Sequence, residues 1–196
     1  MGSLKDYFKI DTTLGFARPD CIFKGQKYRI TILSDVLLRL EYNENGIFND
    51  YPTLFAINRK FTKMPTFTKK EDEKFLNITN DYFILEYNKE KPFAASKLIP
   101  DSNLRISIQG TDKVWYVNHP EVKNLKGATY SFDTKNFTLE RGLYSLDGVA
   151  SFNDSSRPVF VSDGTVKKNP SDGMDIYLFV YKDNFKEALN SYYELT

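Results

Sequence analysis

Tyr28-Arg29-Ile30-Thr31-Ile32-Leu33-Ser34-Asp35-Val36-Leu37-Leu38-Arg39-Leu40-Glu41-Tyr42 is the stretch from which the fold of this 196-residue chain is read. Apolar Tyr28, Ile30 and Ile32 alternate with Arg29 and Thr31, and Leu38, Leu40 and Tyr42 alternate with Arg39 and Glu41. A period of two marks a strand with one apolar face, because successive side chains leave a pleated backbone on opposite sides. Ser34-Asp35 separates the two runs, and Asn43-Glu44-Asn45-Gly46 closes the second with turn chemistry.

The same pattern continues outward. Leu76 and Ile78 precede an Asn80-Asp81 turn, and Phe83, Leu85 and Tyr87 follow it. Leu104, Ile106 and Ile108 alternate with Arg105, Ser107 and Gln109, after which Gly110-Thr111-Asp112 turns into Val114-Trp115-Tyr116. Thr53 to Ile57 is a short strand candidate, Pro158 to Val161 another, and Asp175 to Tyr181 the last strong one. Lys60 to Lys74 reads as a polar stretch, and Asn118 to Asn153 is less regular. Only the tail has helical spacing: Phe185, Ala188, Leu189 and Tyr192 make one apolar stripe, started by Asn184 with Glu187 three positions on. Many short strands bounded by turns predict an all-β chain, an antiparallel β-sandwich with a short C-terminal helix, rather than a βαβ fold.

Composition narrows the function. Lys and Arg number 27 against 26 Asp and Glu, a formal net charge of +1 with no long basic run, which argues against a nucleic-acid partner. Hydrophobic residues at 41% argue against disorder, and 16 Phe with 13 Tyr favour β structure. Cys21 and His119 are single, so they make neither an intrachain disulfide nor a tetrahedral zinc site. His119, before Pro120 in a polar stretch, reads as a solvated loop histidine. No phosphate-binding glycine loop or metal-ligand cluster stands out, so no cofactor and no metal are expected. No apolar run is long enough for an export signal or a membrane span, which makes the cytoplasm the expected compartment, without a membrane partner.

Carboxylates are the remaining source of sugar or acid–base chemistry: Asp147, Asp154, Asp163, Asp172 and Asp175, with Glu140 upstream. Two carboxylates across a glycosidic bond can hydrolyse it. Asp163 and Asp172 each stand in a Ser-Asp-Gly turn, where Asp serves backbone geometry. Asp147 and Asp154 flank an irregular segment beginning at Gly148, and binding residues concentrate on such loops. Asp147 and Asp154 are therefore candidate ligand-binding residues. Trp115 and Tyr116 point to opposite sheet faces, so one of them could stack on a sugar while the other fills core.

Taken in order, several segments resemble the N-terminal region of glycoside hydrolase family 31, the family of α-glucosidases and α-xylosidases. They are Tyr28 to Leu33, Leu37 to Tyr42, Gly46-Ile47-Phe48, Pro52-Thr53 and Asn58-Arg59. Asn124-Leu125-Lys126-Gly127-Ala128 with Phe132-Asp133 is similar to a middle stretch of the family. Gly142 to Gly148, Asn153-Asp154-Ser155, Asp175 to Phe179, and Ala188-Leu189 with Tyr192 to Thr196 resemble the segment before its catalytic barrel. Leu146 and Val149 depart from the Arg and Trp expected at those positions.

The resemblance implies a supersandwich of the galactose-mutarotase-like kind over residues 1–182. Residues 183–196 would be a helix leading to a (β/α)8 barrel beyond this chain. That barrel carries the family's catalytic Asp pair, so no catalytic residue is expected in these 196 positions. The domain would pack on the barrel and shape the pocket for a terminal α-glucoside or α-xyloside, with the loop Ser145 to Gly148 toward the substrate, Asp147 the foremost sugar contact, Gly148 and Asp154 the other substrate-binding candidates, and the helix stripe at the seam. Two other readings stand beside it: a stand-alone carbohydrate-binding module using an exposed aromatic face, and a structural sandwich that self-associates into a homo-oligomer.

Overall fold

The computed structural model describes residues 9–94, 103–127 and 139–196. In chain order its strands begin with β1 (Ile22–Lys24), β2 (Tyr28–Ser34), β3 (Leu37–Tyr42), β4 (Thr68–Glu71), β5 (Phe75–Thr79) and β6 (Phe83–Asn88). They continue with β7 (Leu104–Ile108), β8 (Val114–Trp115), β9 (Val149–Asn153), β10 (Val159–Phe160), β11 (Val166–Lys167) and β12 (Met174–Val180). One α-helix, α1 (Phe185–Leu195), ends the chain, and two 3-10 turns lie at Thr12–Gly15 and Pro19–Cys21. The fold is all-β, of the antiparallel sandwich class with a short C-terminal helix, as the alternation predicts.

The described residues form two compact units, the first of chain up to Pro65 with Phe152–Tyr177 and Asn190–Thr196, the second of Thr66–Ser151 with Leu178–Leu189. In the second unit, β4, β5, β6, β7 and β8 follow one another as an antiparallel meander. Its apolar set, Leu76, Ile78, Phe83, Leu85, Leu104 and Ile106, is buried, while Asn77, Glu86, Arg105 and Ser107 on the alternate positions keep solvent access. Burying each such side chain is worth roughly 1.5–3 kcal/mol. β4 falls inside the stretch read as merely polar. All four of its residues are exposed, so the strand exists through its pairing with β5, and Lys69 and Lys70 blunt a sheet edge.

The first unit is built on the deciding stretch. β2 pairs with β3 in the register Ile30↔Leu40 and Ile32↔Leu38, with a bulge before Ser34. In the sheet order β1, β2, β3, β12, β9, the neighbour of β3 is the distant β12. Every residue of β2 is buried, and so are Leu37 to Glu41 of β3. The polar half of the alternation, Arg29, Thr31, Arg39 and Glu41, is thus buried as well, which the pattern alone would have placed in water. Thr53 forms an isolated bridge with Val159 rather than a strand through Ile57.

The Asn184 side chain caps α1, accepting the Glu187 N–H at 3.2 Å. Within the second unit the Phe185 ring packs edge-on against Tyr144 at 5.3 Å. Within the first, Tyr192 meets Phe55 at 6.1 Å and Phe152 at 5.9 Å, and the Leu195 carbonyl accepts the N–H groups of Ile57 and Asn58, each at 2.9 Å. The predicted apolar stripe therefore packs on the chain's own residues, while Tyr193 beside it remains exposed. Among the described residues, no helix is long and apolar enough to cross a membrane.

Candidate functional site

The segment Gly142 to Gly148 lies in the second unit, and its main chain is bonded at nearly every position. The Asn124 side chain accepts the Gly142 N–H at 3.0 Å and donates to the Gly142 carbonyl at 2.8 Å. Leu125 N–H donates to the Tyr144 carbonyl at 2.8 Å, and Leu146 N–H to the Lys123 carbonyl at 3.0 Å. The Tyr181 hydroxyl accepts the Ser145 N–H at 2.6 Å and donates to the Leu143 carbonyl at 3.0 Å. Burial pushes the Tyr181 phenol up to about 12, so it keeps its proton at neutral pH. Ser145 Oγ accepts the Asp147 N–H at 3.1 Å.

Gly148 closes the turn at φ +72°, donating to the Ser145 carbonyl while its own carbonyl accepts from Tyr181 N–H and Lys182 N–H. A Cβ at this position would stand 2.5 Å from the Lys182 carbonyl oxygen, so both the dihedral and the close approach require glycine. Two side chains project from this fixed frame. Leu146 is 63% exposed, and Asp147 is half-buried between two clefts.

One cleft, of about 230 Å³, is lined by Lys113, Val114, His119, Val122, Lys123 and Asp147. The other, of about 420 Å³, runs past Gln109, Lys113, Leu146, Gly148 and Lys182. Lys113 Nζ lies 3.2 Å from the Asp147 carboxylate and donates to the Leu146 carbonyl at 3.0 Å; Lys123 Nζ lies 3.8 Å from the same carboxylate. His119 is half-buried rather than solvated, and burial lowers its pKa, favouring the neutral imidazole at pH 7. Its Nδ1 accepts the Glu121 N–H at 3.1 Å, which leaves the ring proton on Nε2. One carboxylate, two ammonium groups and a neutral imidazole can donate to and accept from hydroxyl groups.

Asp154, grouped with Asp147 and Gly148 by sequence position, belongs to the first unit and is 0% exposed. Its Oδ2 accepts the Thr53 hydroxyl at 2.7 Å, and Thr53 Oγ1 in turn accepts the N–H groups of Phe55 and Ala56. Arg157 Nε lies 3.2 Å from Oδ1, with its N–H directed to the Asn153 carbonyl. Burial, aided by the neighbouring Asp175 charge, raises the Asp154 pKa to about 6. Around it runs a buried ionic network. Arg29 holds Glu41 through Nε and Nη2 at 2.6 and 2.8 Å, and Arg39 holds Asp175 through Nε and Nη2 at 3.0 and 2.7 Å. Arg59 donates to the Tyr177 hydroxyl at 2.5 Å and to the Gly15 and Tyr51 carbonyls. Glu41 and Asp175 are neutralised by arginines inside the unit, and neither they nor Asp154 line either cleft. They hold the fold together.

Trp115 is 1% exposed and offers no face for stacking. Its Nε1–H donates to Glu121 Oε1 at 3.4 Å, and the same oxygen accepts the Ser151 hydroxyl. Asp163 and Asp172 serve turns and side-chain contacts: Asp163 accepts from Thr165, and Asp172 from Asn43. Lys113 and Tyr181 carried no sequence signal, because their partners in the loop lie 33 and 36 positions away in the chain. In the middle stretch of the resemblance, Ala128 and Phe132-Asp133 lie outside the described residues.

No family model and no curated protein matches the sequence. Two solved structures of a GH31 dextranase from Flavobacterium johnsoniae, one complexed with glucose and one a mutant complexed with isomaltotriose, are similar to this chain. Each gives a TM-score of 0.48 and 14% sequence identity over 89% of this chain and 26% of theirs. The chain thus spans about a quarter of the length of the dextranase structures.

Proposed function

We propose that this chain is the non-catalytic N-terminal domain of a retaining, α-glucosidase-like glycoside hydrolase acting in the cytoplasm on terminal α-linked glucose or xylose. Its partner is a (β/α)8 barrel carrying the catalytic carboxylates, and its contribution is to shape the pocket rim, with Asp147 contacting a sugar hydroxyl. The observation that carries the reading is the loop Ser145 to Gly148. A stretch whose sequence resembles the family's pre-barrel segment has its backbone held by several hydrogen bonds, and it presents Asp147 beside two clefts. A fixed loop projecting polar groups can orient a substrate at little entropic cost. The burial of Trp115 takes that ring out as a stacking face and leaves the part-exposed Tyr116, edge-on to His119 at 5.1 Å, as the face a stand-alone carbohydrate module would use.

The test separates domain from enzyme. The 196-residue chain is expected to release no nitrophenol from nitrophenyl α-glucoside or α-xyloside, and the chain joined to its barrel to release it. In the joined protein, Asp147→Ala is expected to raise KM about tenfold, the equivalent of ~1.4 kcal/mol, with kcat within twofold. Hydrolysis by the 196 residues alone, or an unchanged KM, overturns the proposal.

A further inference from the structure

We infer that Tyr181 is the positioning residue of the Asp147 loop, setting its bound geometry before any ligand arrives; the sugar-binding consequence rests on the function proposed above. Tyr181 grips the loop at both ends. Its hydroxyl accepts the Ser145 N–H at 2.6 Å and donates to the Leu143 carbonyl at 3.0 Å, bridging the residues on either side of Tyr144. Its main-chain N–H donates at 2.9 Å to the carbonyl of Gly148, the far end of the same loop. The residue is itself immobilised: it is fully buried, and its ring lies 5.5 Å from that of Phe185.

Most other bonds to the loop come from main-chain atoms and survive side-chain substitution. The exceptions are Asn124, which holds Gly142, Lys113, which holds the Leu146 carbonyl from a partly exposed position, and within the loop Ser145 Oγ, which accepts the Asp147 N–H. The Tyr181 hydroxyl is the buried side-chain group that reaches the loop's centre. Removing it leaves the Ser145 N–H, in a buried residue, without its acceptor. The strand-side grip at Gly148 stays in place. The loop then keeps its bonds at Gly142, Tyr144, Leu146 and Gly148 but loses the buried one at its centre, so a ligand that needs Asp147 in one place must first order the Ser145 turn.

The experiment is Tyr181→Phe, with Tyr177→Phe as control, because Tyr177 is an equally buried tyrosine whose hydroxyl meets Arg59 and not the loop. Amide hydrogen exchange on the 196-residue chain is expected to accelerate at least tenfold at Ser145, Asp147 and Gly148 in Tyr181→Phe. The amides of β5, β6 and β7 should slow or quicken no more than in the control. Uniform acceleration across the chain, or none at the loop, overturns the inference.

If Tyr181→Phe does not fold, native-state exchange of the unaltered chain decides. Ser145 and Gly148 amides that exchange only at the rate of the β6 core support the clamp, and amides that exchange as fast as that of Thr165 in its exposed turn overturn it. In the protein joined to its barrel, Tyr181→Phe should raise KM five- to tenfold with kcat unchanged. A loop that loosens while KM stays fixed supports the clamp and overturns the sugar-rim function, so the two ideas fail separately.

Discussion

Arg39 and Asp175, 136 positions apart, face each other as a two-pronged pair, guanidinium Nε and Nη2 on the two carboxylate oxygens at 3.0 and 2.7 Å. The pair ties β3 to β12, strands that are neighbours in the sheet although Thr66–Ser151 of the second unit intervenes between them in sequence. Arg39 Nη2 also lies 3.1 Å from Glu41 and donates to the Asn49 carbonyl at 2.9 Å, so one guanidinium neutralises two carboxylates.

Arg39→Met should therefore be severely destabilising. The methionine fills much of the space, but it strands the buried charge of Asp175 and leaves Glu41 to Arg29 alone. Removing one partner of such a pair costs about 3–5 kcal/mol. Urea denaturation of the variant against the unaltered chain reads the loss directly, and a loss under 1 kcal/mol would show that the network relaxes around the gap.

Asp154 gives stability a pH dependence of unusual sign. Its folded pKa of about 6 lies above the ordinary carboxylate value of 3.8 that it regains on unfolding. Between these values the native chain binds the extra proton, so this group's contribution is fully present below about pH 4 and is lost as pH rises through 6. The Asp154→Asn variant cannot titrate. The stability of the unaltered chain minus that of Asp154→Asn should therefore fall by an amount on the order of 1–3 kcal/mol between pH 4 and pH 7.5. Urea titrations at half-unit intervals measure it, and a difference that is flat or rises with pH contradicts the burial argument.

Gly148→Ala confronts both a left-handed dihedral and the Lys182 main chain. A cost of about 2–4 kcal/mol is expected, because the added methyl contacts backbone that cannot swing aside. Thermal unfolding should show a lower midpoint than for Gly110→Ala, which has a similar dihedral, φ +75°, but open space around the added carbon. The difference between the two isolates the steric part.

Trp115→Ala should lose about 3–5 kcal/mol of stability, as large buried aromatics do, and not a binding surface. Maltose or isomaltose added to the unaltered chain should leave the emission of this single tryptophan unchanged. A saturable shift in emission would mean that Trp115 senses sugar after all.

The strands were legible because their cause is local. A period of two in Tyr28–Tyr42, or in Leu76–Tyr87, follows from the geometry of a pleated backbone, and turn residues mark where it stops. The α1 start at Asn184 was legible for the same reason: a cap acts on amides two or three positions away. β4 was not, since a strand exposed at all four positions carries no apolar rhythm and exists only through its partner β5.

Asp147 and Gly148 could be picked out as a loop candidate, but Asp154, six residues after Gly148, could not be told apart from them by position. Burial decides between a carboxylate that projects and one that holds Thr53, and burial depends on which distant segments pack against it. The amino-acid order by itself determined the all-β class, the alternating faces of β2 and β3 and the C-terminal helix, through interactions that span a few residues. Only the tertiary structure decided that the polar face of β2 and β3 is interior, that Tyr181 holds the Asp147 loop, and that Trp115 is core. Each of these depends on contacts between residues far apart in the chain, for which a linear pattern has no signature.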